Sequence, residues 1–77
     1  MVNNFTNKKT FDALVSEGRP AGETIKYLLA CEGESVKGIA ILADVSATAV
    51  SLTIYQAKIN KKAVSAISKI LGFNPWS

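Results

Sequence analysis

Apolar residues in this chain fall repeatedly at i, i+3 and i+4, the spacing that lines one face of a helix, and strand-like alternation is sustained nowhere. Phe11, Leu14 and Val15 mark a first helix from about Lys8 to Glu17, with Asn7 or Thr10 as its cap and Gly18 as its stop. Ile25, Leu28 and Leu29 mark a second from about Pro20 to Glu32, closed by Gly33. Ser35 is a good N-cap for a third helix reaching about Ala43, with Val36, Ile39, Ala40 and Ala43 on its core face. Ile41 and Leu42 make that short helix apolar nearly all round, so it needs cover on more than one side. Ser46 starts a fourth helix to about Gln56, buried through Ala49, Val50 and Ile54. A fifth runs from about Asn60 to Leu71 on Ala63, Val64, Ile67, Ile70 and Leu71, and the tail FNPWS adds Phe73 and Trp76. The expectation is an all-α single domain over residues 1–77, built of four to five helices.

Several function classes are excluded by what is missing. The chain has no His and one Cys, which removes the commonest general base, the commonest metal ligand and any intrachain disulfide. Cys31 reads as a small buried hydrophobe. No phosphate-cradling glycine loop and no nucleophile elbow are present. Glu32 and Glu34, the closest pair of acids, read as a solvated helix end. No catalysis, metal, cofactor or small-molecule substrate is therefore expected. MVNNFTNKK lacks the apolar core of a signal peptide, and the run Ile39 to Ala43 is far short of the ~20 residues that span a bilayer. That predicts a cytoplasmic protein with no membrane partner.

The charge is uneven. Residues 1–44 hold five basic and six acidic side chains, a balance of −1, whereas residues 45–77 hold four lysines and no acid. An acid-free basic half suits an anionic partner, most simply a phosphate backbone.

The middle of the chain carries a more specific pattern. Ala40 lies mid-way along the third helix, Asp44 four residues on, and Val45 next. Ser46 opens the fourth helix, and Val50 and Ile54 follow. This spacing, over about residues 36–56, resembles the helix-turn-helix of the phage Cro and repressor family. Counting the flanking helices, the resemblance covers roughly Thr24 to Leu71. It implies a lambda-repressor-like fold in which Ala40 lets the two helices cross closely. Asp44 stands where the family usually has Gly, in a left-handed turn that Asp tolerates better than most residues. The order of motif, basic NKK loop, short helix and PWS tail is also similar, more loosely, to small early regulators of Mu-like phages.

The resemblance implies that Ser46, Ala47, Thr48, Ser51 and Leu52 face base edges in the major groove. None is Arg, Lys, Asn or Gln, so bidentate readout of guanine or adenine is absent. Hydroxyls and the apolar groups of Ala47, Thr48 and Leu52 remain, the latter suited to thymine methyls, with DNA shape and dimer spacing carrying the rest. The resemblance places Lys37, Lys58, Lys61 and Lys62 against phosphates, and the amides at the start of the fifth helix add a favourable dipole. A domain this small buries only ~60% of its unfolded surface, and Ile41, Leu42, Phe73 and Trp76 exceed what one small core needs, which suits a homodimer. The expected function is a sequence-specific regulator of transcription that binds duplex DNA, a phage or prophage repressor acting by promoter occlusion. The alternative is an adaptor or inhibitor that keeps the fold and has lost DNA reading. The reader-poor fourth helix and the apolar third favour it.

Overall fold

The structure, a computed structural model, describes the backbone of residues 4–76 and the side chains of residues 6–76. Met1 to Asn3, the start of the MVNNFTNKK stretch, and Ser77, the end of the PWS tail, lie outside the described residues.

The described residues form five helices and no strand: α1 (Asn4–Ser16), α2 (Ala21–Cys31), α3 (Val36–Ala43), α4 (Ala47–Ile54) and α5 (Lys61–Leu71). The domain is all-α, as the periodicity requires. Among the described residues, no single helix is long and apolar enough to cross a membrane.

Helix starts follow side-chain chemistry. The Ser35 hydroxyl accepts the Gly38 N–H at 3.1 Å, and the Ser46 hydroxyl accepts the Ala49 N–H at 3.0 Å. Asn60 caps α5 by accepting from Lys62 and Ala63 N–H at 3.0 and 3.2 Å. Each cap satisfies amides that the first turn leaves without a partner.

The core is a layer of aliphatic side chains shared by four helices. Ile25, Leu28 and Leu29 come from α2, Ile39 and Ala40 from α3, Val50 and Ile54 from α4, and Ala63, Ile67 and Leu71 from α5. α5 packs against each of the other four helices. Gly22 lets α2 approach the end of α4: a Cβ there would stand 2.7 Å from Tyr55 Cδ1 and 2.9 Å from the Ile54 carbonyl oxygen.

α1 closes one side, resting on α2 and α5. It begins at Asn4, earlier than the apolar spacing indicates, so Asn7 is no cap. Its buried side chain donates to the Leu71 carbonyl at 2.9 Å and to a Glu32 carboxylate oxygen at 3.1 Å. Glu32 is thus half-buried and bonded rather than freely solvated. Phe11 meets Phe73 with ring centroids 5.5 Å apart, which seats the tail, and Trp76 packs on the same core.

Three further expectations are corrected. Cys31 is exposed, because it lies on the last turn of α2 away from the Ile25–Leu29 face. Pro20 caps α2 instead of opening its first turn. α4 ends at Ile54, two residues before Gln56.

Candidate nucleic-acid interface

α3 and α4 are apolar helices of eight residues each, too short to be stable alone. Three residues, Asp44, Val45 and Ser46, join them, and the chain direction bends by 110° across the join. The bend has a definite cause. Asp44 adopts φ 57° and ψ 47°, the left-handed region, directly after α3. Its N–H then reaches back to the Ile41 carbonyl at 3.3 Å, and the Val45 N–H reaches the Ala40 carbonyl at 3.1 Å. That pair of bonds is the Schellman closure of a helix end. Val45 turns onto the core, Ser46 caps α4, and Ala40, nearly buried, is small enough to leave α4 room.

α4 is two-sided as a result. Val50, Thr53 and Ile54 are buried, while Ser46, Ala47, Thr48 and Leu52 are exposed and Ser51 is half-buried. All five residues expected to face bases therefore lie off the buried face of one helix. Part of the Ser46 hydroxyl's capacity is used by its cap.

The lysines divide. Lys58 joins Ser46, Thr48 and Leu52 around a shallow cavity of about 270 Å³ between the start of α4 and the loop that follows it. Lys61 and Lys62, though adjacent, line different hollows: Lys61 faces the tail near Phe73, and Lys62 faces Leu42 and Ala43 of α3. Lys37 stands apart, in the first turn of α3 beside Lys26 and Glu34. None of these four lysines pairs with a carboxylate among the described residues. Lys58 is thus the lysine that lines a cavity together with the exposed side of α4.

Two residues important to this geometry escape a reading of the sequence. Thr53 is fully buried, and its hydroxyl donates to the Ala49 carbonyl at 2.8 Å. The same oxygen accepts the Asn60 N–H at 3.0 Å and lies 3.3 Å from the Lys58 carbonyl. One hydroxyl thereby fixes the path from α4 to the start of α5. The signal was its place beside Val50 and Ile54 at core spacing, hidden by treating Thr as polar. The second is Ile59, half-exposed on that loop and part of the same cavity wall.

Away from this face, Ile41 and Leu42 project from α3 at 75% and 66% exposure, and α1 does not reach them. On α2, the Cys31 sulfur beside Tyr27 raises the tyrosine hydroxyl above its ordinary pKa. Among the described residues, no three His, Cys, Asp or Glu side chains gather where they could hold a metal. The chain matches no protein-family model, no curated protein and no solved structure.

Proposed function

We propose that α3 and α4 form a helix-turn-helix and that the protein binds duplex DNA as a regulator of transcription. The observation that carries the reading is the junction between them. A 110° bend, a three-residue turn, a left-handed Asp44 and a small buried Ala40 meet what the motif requires of two crossing helices. The exposed side of α4 and the acid-free basic charge of residues 45–77 support it from chemistry.

In this reading Ser46, Ala47, Thr48, Ser51 and Leu52 face the major groove, and Lys37, Lys58, Lys61 and Lys62 neutralise phosphates. The resemblance to phage Cro and repressor proteins makes a cytoplasmic repressor of phage or prophage origin the natural role, acting by occluding a promoter. A homodimer doubles the contacts and places two half-sites ~34 Å apart. With about four phosphate contacts per subunit, each subunit contributes roughly −3 to −4 to the slope of binding against salt, and the dimer about −7.

One observation favours a second reading. Ile41 and Leu42 are two large aliphatic side chains exposed side by side, as a protein-binding surface presents them. An adaptor or inhibitor on the same fold would use that surface and leave α4 idle.

Charge reversal separates the two. Lys61→Glu with Lys62→Glu is expected to abolish retention of any duplex in a filter or gel assay. Both positions are exposed and open a helix, where acidic side chains are welcome, so folding is not at risk. Unchanged duplex binding would overturn the phosphate assignment. The adaptor reading requires that pair to be neutral while Ile41→Asp or Leu42→Asp abolishes capture of a protein partner.

A further inference from the structure

The cavity between α4 and the following loop has an unusual makeup for a basic surface. Thr48, Ala49 and Leu52 supply one wall from α4, Ile59 supplies the other from the loop, and Lys58 stands at the margin. Leu52 is 37% exposed and Ile59 is 50% exposed. An isoleucine on a solvated loop gains nothing from water. Here its backbone is also held in place, because Thr53 and Asn60 bond on either side of it.

We propose that this cavity receives the 5-methyl group of thymine, and that Ile59 is a specificity residue acting opposite Leu52. The inference rests on the DNA-binding reading above and adds to it the cavity and the role of Ile59. The physical argument is complementarity. The cavity joins the apolar side chains of Ala49, Leu52 and Ile59 to one positive charge, Lys58, and to Ser46 and Asn60, the caps of α4 and α5, in a half of the chain that carries no acid. Its ligand should be a small apolar group flanked by negative charge. In duplex DNA the thymine methyl is the only apolar group among the four bases that projects into the major groove, and phosphates flank it on both sides. The absence of Arg, Asn and Gln from α4 then has a reason, since a methyl needs a surface rather than a donor.

The test compares three random-sequence duplex pools at ~50 mM salt: one with thymine, one with uracil replacing thymine, and one with uracil and 5-methylcytosine. Uracil lacks only the methyl, and 5-methylcytosine returns a methyl to the groove without thymine. The thymine pool is expected to bind at least three- to four-fold better than the uracil pool, roughly the worth of burying one methyl-sized group. The 5-methylcytosine pool should recover part of the loss. Ile59→Ala, at an exposed position, should melt like the wild type and bring the thymine-to-uracil ratio towards one without altering the salt slope.

Equal, salt-sensitive binding of thymine and uracil pools would overturn the proposal and leave the DNA reading standing. A preference for thymine that Ile59→Ala and Leu52→Ala both leave intact would place the methyl elsewhere and overturn the cavity assignment. No binding of any pool would overturn this inference and the DNA reading together.

Discussion

α2 and α4 leave their last turns by the same pair of hydrogen bonds, with different residues at the critical position. At the end of α2, Gly33 and Glu34 donate to Ala30 and Leu29 carbonyls at 3.0 and 2.9 Å. At the end of α4, Gln56 and Ala57 donate to Thr53 and Leu52 carbonyls at 3.1 and 2.9 Å. Both closures place one residue in left-handed backbone: Gly33 at φ 77° and Gln56 at φ 61°. Glycine adopts that conformation freely, whereas a residue with a Cβ meets a steric cost of about 1–2 kcal/mol. The other end of the candidate interface repeats the contrast, since Asp44 at φ 57° holds the turn before α4. Left-handed residues other than glycine thus bracket α4, while α1 and α2 close on glycine. Such a conformation persists only where surrounding bonds over-determine the backbone. Here the surrounding bonds are those of Thr53 after α4 and the Ala40–Val45 closure before it.

Four substitutions bear on this contrast, in order of expected effect. Thr53→Val keeps the volume and removes the hydroxyl that accepts from Asn60. With the half-buried Asn60 N–H left unpaired, a loss of about 1–2 kcal/mol is expected in urea unfolding. A loss below ~0.5 kcal/mol would mean that the loop is not held by this residue. Gly33→Ala should cost about 1 kcal/mol. The new Cβ meets nothing within 4 Å, so the effect isolates the backbone term alone. Gln56→Gly should move stability the other way, by about 0.5–1 kcal/mol, after the entropy of glycine in the unfolded chain is subtracted. Thermal melts that place Gln56→Gly below the wild type would show that the Gln56 side chain contributes something the contrast omits. Asp44→Gly should be the smallest, neutral or stabilising by under ~0.5 kcal/mol, because Asp tolerates the left-handed region. A large loss there would argue against the turn between α3 and α4.

What the sequence made legible follows from which signals are local. The two serine caps, the i, i+3, i+4 faces of α2, α3 and α5, and the turn at Asp44 are local, and each lies where the residues place it. Contacts distant along the chain were not legible. Asn7 looks like a cap because Asn commonly caps, and only the folded chain brings the Leu71 carbonyl to it, 64 residues away. Cys31 looks buried by residue type, but its place on α2 turns it outward. Ile41 and Leu42 make α3 apolar nearly all round, a pattern that calls for cover, and α1 lies instead against α2 and α5. The candidate interface was half legible. Spacing along α4 marks its exposed residues, while the convergence of Lys58, Leu52 and Ile59 on one cavity depends on a loop path set by the Thr53 hydroxyl. Lys61 and Lys62, neighbours in sequence, part company for a similar reason, as successive positions on a helix point ~100° apart.

The most direct measurement of the central claim is retention of a random-sequence duplex pool by the purified protein at ~50 and ~200 mM salt, followed by selection and sequencing of what is kept. A dimer that neutralises several phosphates per subunit should lose ten-fold or more of its binding between the two salt concentrations and enrich a palindromic site. No retention at the lower salt would contradict that claim.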